Sequence, residues 1–84
     1  MNEVVMYTTA ICPYCTAAKA FLARKQLAVS ELRVDTDPAL RDEMIAKTHR
    51  RTVPQIFING HHVGGYDDLV ALDRSGGVEA LLKA

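Results

Sequence analysis

Eighty-four residues with a mass of 9.2 kDa allow one small domain, taken as residues 1–84. Hydrophobic residues make up 49% and charged residues 24%, an ordinary globular balance that argues against a disordered chain. Lys plus Arg is 10 and Asp plus Glu is 10, with the signs balanced in both halves, so no basic stripe for nucleic acid and no basic helix for a membrane surface is expected.

The run Val4-Val5-Met6-Tyr7 is β-prone and apolar on both faces, which suits a central strand over Glu3 to Tyr7. It follows the first residues almost directly, with no basic n-region or long apolar stretch, so a secretory precursor is not expected. Thr8 to Ile11 reads as a loop. From Pro13 the spacing turns helical. Tyr14, Ala17, Ala18, Phe21 and Leu22 form one apolar stripe, and a helix is expected over 13–26. Leu27 to Val34 reads as a second strand, with Leu32 and Val34 on one face and Glu31 and Arg33 on the other. Asp37 followed by Pro38 is a helix cap and first turn, opening a helix to about Thr48 with Leu40 and Met44 inward. Gln55 to Ile58 is a short strand. Asn59-Gly60 signals a tight hairpin returning through His61 to Val63, and Gly64-Gly65 breaks that strand. Asp67 or Asp68 is expected to cap a third helix, which Gly76-Gly77 stops, and a last helix runs from about Val78 to Lys83. The order β-α-β-α-β-β-α-α implies an α/β fold. One mixed four-stranded sheet with helices on both faces fits it.

The chemistry sits in Cys12-Pro13-Tyr14-Cys15, where a loop feeds a helix. With Pro13 as the first helical residue, Cys12 is the N-cap and Cys15 lies one turn in. Unpaired backbone N–H groups then face the Cys12 sulfur and favour its thiolate, with the helix dipole adding ~0.3–2 kcal/mol. Cys12 is expected to titrate below the free-thiol value of ~8.5. Cys15, packed under the helix, is expected to stay a thiol until it attacks. Lys19 lies about two turns away, roughly 10 Å, and contributes little. A passive disulfide is the weaker reading, because a four-residue loop constrains the unfolded chain little. So is half a zinc site. Its remaining ligands would have to come from His49, His61 and His62, and neighbouring His61 and His62 point to opposite strand faces. No metal is expected, and the three histidines read as solvated surface residues.

Cys12-Pro13-Tyr14-Cys15, Thr52-Val53-Pro54 and Gly64-Gly65-Tyr66-Asp67-Asp68 together resemble the three signature stretches of a glutaredoxin, most nearly the small bacterial dithiol type. The resemblance spans Val4 to Leu82 and implies a thioredoxin-like fold. It implies a glutathione-dependent oxidoreductase that reduces protein–glutathione mixed disulfides and protein disulfides. Cys12 would attack, and Cys15 would resolve protein disulfides. Glutathione would be a co-substrate, with no tightly bound cofactor. The partners implied are glutathione and disulfide-containing or glutathionylated proteins. The chain would be a cytoplasmic monomer that binds no nucleic acid and no membrane.

By the same resemblance, Val53-Pro54 would be a cis peptide facing the cysteines. It would turn the Val53 backbone outward to pair with the cysteinyl part of glutathione. Tyr66 and Asp67 N–H groups, at the start of the helix after Gly65, would hold the γ-glutamyl carboxylate. An Asp67 or Asp68 carboxylate would meet the ammonium. Tyr14 would stack beside the site. Two positions depart from the family pattern. Thr9 stands where a lysine often precedes the cysteines, which leaves Arg50 or Arg51 to hold the glycyl carboxylate. Gln26 stands where a glycine often ends the first helix, so a left-handed residue or a different turn is implied. An iron–sulfur carrier using Cys12 and glutathione, and a redoxin fed by thioredoxin reductase, are the competing readings. The proline after Cys12 and the Gly64–Asp68 stretch weigh against them in turn.

Overall fold

The computed structural model describes residues 2–83. Its elements are β1 (Val4–Thr8), α1 (Pro13–Arg24), β2 (Val29–Arg33), α2 (Pro38–Thr48), β3 (Gln55–Ile58), β4 (His61–Gly64), α3 (Tyr66–Arg74) and α4 (Gly77–Lys83). They form one four-stranded sheet in the order β2-β1-β3-β4. β1 is central, parallel to β2 and antiparallel to β3, and β4 returns antiparallel at the edge. The expected thioredoxin-like arrangement therefore holds. Among the described residues no helix is long and apolar enough to cross a membrane.

The apolar character of β1 on both faces is used on both faces. Val4 and Met6 point into one core with Ala18 and Leu22 of α1, Ile56 and Ile58 of β3, Leu69 of α3 and Val78 of α4. Tyr7 points the other way, into a smaller core with Val34 and with Met44 of α2. Tyr7 meets Phe57 edge-on at 6.1 Å between centroids, and its hydroxyl donates to Glu43 Oε2 at 2.5 Å. Burial and that carboxylate together push the Tyr7 phenol well above its ordinary value.

Local signals decide most boundaries. The Asp37 carboxylate accepts the Ala39 N–H at 3.0 Å, with Pro38 at the first helical position. Asn59 at φ 50° and Gly60 at φ 82° form the two-residue turn that the hairpin requires. The Asn59 side chain also accepts from Glu3 N–H at 2.7 Å and donates to the Leu81 carbonyl at 3.1 Å, tying the turn to both chain ends.

Several boundaries move. α1 ends at Arg24 rather than at residue 26, and Gln26 takes the left-handed conformation at φ 61°. Gln26 N–H reaches the Ala23 carbonyl at 2.9 Å and Leu27 N–H reaches Leu22 at 3.1 Å, which closes the helix end in a Schellman motif. Leu27 is thereby spent on the turn and packed against the main core, so β2 starts at Val29 instead of Leu27. β1 runs one residue further than expected, to Thr8. A further correction concerns α3. Its N-cap is Gly65, not Asp67 or Asp68. Asp68 sits one turn inside and reaches back to accept the Gly65 N–H at 2.9 Å, so the helix opens earlier than a side-chain cap would place it.

Lys25, beside the left-handed Gln26, bridges Asp73 and Glu79 at 2.8 Å each and ties the end of α1 to α3 and α4. A glycine at 26 would remove the steric cost of φ 61° without breaking this bridge. Gln26→Gly should therefore stabilise the fold by about 0.5–1 kcal/mol, a rise of several degrees in Tm for a domain of this size. Thermal unfolding of the oxidised protein checks this. An unchanged or lowered Tm would mean the side chain makes a contact worth the strain.

Candidate active site

The sheet register brings three separate stretches together. Tyr7 pairs with Gln55, so the chain leaving β1 towards the cysteines runs beside the chain entering β3. Ile56 pairs with Gly64, which sets the start of α3 against the same end. The loop after β1 is pinned from β2's side. Ala10 N–H donates to Asp35 Oδ2 at 3.0 Å, and Arg33 grips the same carboxylate twice at 2.7 Å. Arg33 first, then the Ala10 N–H, hold the Asp35 carboxyl far below the usual carboxylate range.

Cys12 is the N-cap of α1, with extended backbone (φ −149°, ψ 94°), and Pro13 follows in the first turn. Cys15 N–H points at Cys12 Sγ at 3.1 Å, while Thr16 N–H takes the Cys12 carbonyl at 3.0 Å. The two cysteines form a disulfide, with Cα atoms 5.1 Å apart. Cys12 is partly exposed and Cys15 is only 1% exposed. The N–H that now touches a disulfide sulfur is the one that would solvate a Cys12 thiolate after reduction. Lys19 adds nothing to this, because it is paired with Glu31 at 3.1 Å on the side of β2.

Beside the cysteines lies a cleft of about 240 Å³. Tyr14, Thr52, Val53 and Pro54 line it, as do Gly65, Tyr66, Asp67 and Asp68. All eight were singled out from the sequence. Arg50 lines it too, whereas the exposed Arg51 does not. Thr9, at the position of the missing lysine, also lies outside the lining. The cysteines border this cleft through Tyr14 rather than lining it themselves. Tyr14 and Tyr66 stack with centroids 6.1 Å apart and planes at 28°, forming one wall. The Val53–Pro54 peptide is cis, as expected, and Pro54 is buried.

The lining also carries charge. Arg50 Nη1 lies 2.9 Å from Asp68 Oδ2 in an exposed pair. The Gly65 N–H first, and then Arg50, hold the Asp68 carboxyl below the usual carboxylate range. Gly64 (φ +114°) has no room for a side chain, because a Cβ there would strike the Asp68 carboxylate. Asp67, one position earlier in α3, is exposed and makes no ion pair among the described residues.

Two features escaped the sequence reading. Gln55, read only as a strand residue, is buried and lines the cleft. His62 is not a solvated surface residue. It is half-buried, with Nε2 2.8 Å from Gln55 Oε1, and burial followed by the Arg50 charge lowers its pKa below the ordinary imidazole value. His49 and His61 are exposed, as expected. The alternation of residues along β4 could have flagged His62, since it shares a face with buried Gly64.

The family model described as Glutaredoxin matches residues 4–63. Glutaredoxin 3 of Escherichia coli (strain K12) is 52% identical over 83 residues, covering 99% of this chain and 100% of that protein. A glutaredoxin of Pseudomonas aeruginosa is 52% identical over 84 residues, covering 100% of both chains. Among solved structures, a buckwheat glutaredoxin–glutathione complex superposes with a TM-score of 0.87 at 27% identity, covering 98% of this chain and 77% of that one. With its paired cysteines in the C-x-x-C motif, the chain belongs to the glutaredoxin family of glutathione-dependent thiol–disulfide oxidoreductases.

Proposed function

We propose that residues 1–84 act as one glutaredoxin domain in which Cys12 is the nucleophile, Cys15 the resolving thiol and the adjacent cleft the glutathione site. The observation that carries this is the Cys15 N–H aimed at Cys12 Sγ at 3.1 Å, with Cys15 itself buried behind it. An exposed thiolate with a second thiol in reach is what two-step exchange requires.

With a glutathionylated protein, the Cys12 thiolate attacks the glutathione sulfur. The protein thiolate leaves and takes up a proton, and Cys12 is left disulfide-bonded to glutathione. The thiolate of a second glutathione then attacks the glutathione sulfur. Oxidised glutathione departs, and the Cys12 thiolate is restored. With a protein disulfide, Cys12 forms a mixed disulfide with one substrate cysteine and releases the other as a thiol. The Cys15 thiolate then attacks Cys12 Sγ, freeing the substrate and forming the Cys12–Cys15 disulfide. Two glutathiones reduce that disulfide. Such a cycle runs where the glutathione pool is kept reduced, which points to the cytoplasm.

The cleft offers a partner for each charged part of the tripeptide. The Val53 edge, flanked by Thr52 and Pro54, would take the cysteinyl backbone as an added strand. Tyr66 and Asp67 N–H groups in the first turn of α3 would hold the γ-glutamyl carboxylate, with Gly65 allowing its approach. The Asp67 carboxylate, with no ion pair among the described residues, suits the ammonium better than Asp68, which already accepts the Gly65 N–H. Arg50 lines the cleft, and the guanidinium donors it does not spend on Asp68 suit the glycyl carboxylate better than Arg51 does. Tyr14 stacks against Tyr66 and closes the side nearest the cysteines.

Cys12→Ser should abolish every disulfide-exchange activity. Cys15→Ser should keep the reduction of glutathionylated peptide, where dissolved glutathione resolves the intermediate. It should lose most activity on protein disulfides, where the intramolecular thiol has the far higher effective concentration. Assays on both substrates with glutathione and glutathione reductase decide this, and surviving activity in Cys12→Ser would reverse the roles.

Arg50→Ala should raise KM for glutathione by roughly fivefold, about 1 kcal/mol for one half-exposed charged contact, with kcat little changed. Arg51→Ala should behave as the parent. Equal effects at both positions would mean a diffuse charge, not a carboxylate contact.

A further inference from the structure

His62 stands on β4, one strand behind the cleft, and no step of thiol exchange uses it. What it touches is Gln55, a buried residue that lines the cleft. Gln55 is 1% exposed and directly follows Val53-Pro54 in the chain. Its Nε2 donates to the Thr52 carbonyl at 3.1 Å and lies 3.3 Å from the Thr52 hydroxyl. Its Oε1 lies 2.8 Å from His62 Nε2. The Thr52 carbonyl can only accept, so Gln55 must turn its NH₂ group towards Thr52 and its oxygen towards His62. Two acceptors cannot face each other at that distance, so His62 Nε2 carries the hydrogen. No other side chain or backbone group among the described residues donates to Gln55 Oε1. Phe57 backs the imidazole, with ring centroids 5.0 Å apart and planes at 31°.

We propose that His62 is a positioning residue for the glutathione cleft. Its Nε2–H fixes the buried Gln55 amide, and that amide holds Thr52 so that the Val53 edge is presented to the tripeptide in one geometry. The proposal rests on the reading that this cleft takes glutathione. The imidazole donates from Nε2 in both its neutral and its charged form, so the device is a clamp and not a pH switch. Without the donor, a buried carbonyl oxygen is left unpaired, and the amide gains by rotating away from Thr52.

The test has two arms. In the wild-type protein, nitrogen NMR of the His62 ring at neutral pH should find the Nε2–H tautomer, and a hydrogen on Nδ1 with bare Nε2 would overturn the proposal. In the second arm, His62→Phe keeps a ring against Phe57 and removes the donor, while His62→Gln returns an N–H near the Nε2 place. His62→Phe should raise KM for a glutathionylated peptide about five- to tenfold, the scale of leaving one buried acceptor unpaired. It should leave the single-turnover reduction of a small aromatic disulfide, which carries no glutathione, within about twofold of the parent, because Cys12 is untouched. His62→Gln should recover most of the loss. Equal impairment in both variants, or a matching loss on the aromatic disulfide, would mean general packing and would refute the clamp. An unchanged KM in His62→Phe beside a raised KM in Arg50→Ala would refute the clamp and leave the cleft standing. An unchanged KM in both variants would mean glutathione does not use this cleft, and both readings would fall.

Discussion

One contact organises the site: the backbone N–H of Cys15 pointing at Cys12 Sγ across the first turn of α1. It exists because Cys12 is the helix cap and Pro13 opens the first turn, which leaves the Cys15 N–H without a partner inside the helix and aims it at the sulfur. The same turn buries Cys15 and exposes Cys12, so one piece of helix geometry separates attacker from resolver. Other charges are kept out of the arrangement. Lys19 is spent on Glu31, and the pair Arg33 and Asp35 is spent on pinning the loop at Ala10.

The sheet supplies what a helix terminus alone lacks, a second surface at a fixed distance. Because β1 and β3 are antiparallel neighbours, the chain that leaves β1 for Cys12 and the chain that arrives at β3 through Val53-Pro54 share one sheet end. β4 delivers Gly64 and the start of α3 to the same place. Residues more than 50 positions apart in sequence thus meet over a cleft, and the two cores on either face of β1 keep that sheet end from shifting. The chemistry is local to α1, whereas recognition is a product of topology.

Most of this was legible in the residues. Asp37-Pro38 and Asn59-Gly60 are strong local signals with one structural answer each, and β1 announced its central place by being apolar on both faces. The cleft residues were legible only through the three-motif resemblance, since no periodicity links Tyr14, Val53 and Asp68. Misses occurred where a side chain acts at a distance along the chain. Asp68 caps backward from inside α3, which hid the Gly65 start. The left-handed Gln26 was one of the two expectations for that position, but the closing bonds that follow it draw Leu27 out of β2, which the residue pattern did not show. His62 looked solvent-facing because its partner, Gln55, sits on the neighbouring strand, and cross-strand pairing depends on a register that the sequence does not state.

The central claim is that helix geometry makes Cys12, and not Cys15, the reactive thiol. Reduced protein treated at pH 7 with less than one equivalent of iodoacetamide, then mapped by mass spectrometry, reads this out directly. The account predicts a label almost wholly on Cys12, the partly exposed N-cap, with Cys15 protected by burial. A label shared equally, or placed first on Cys15, would contradict it.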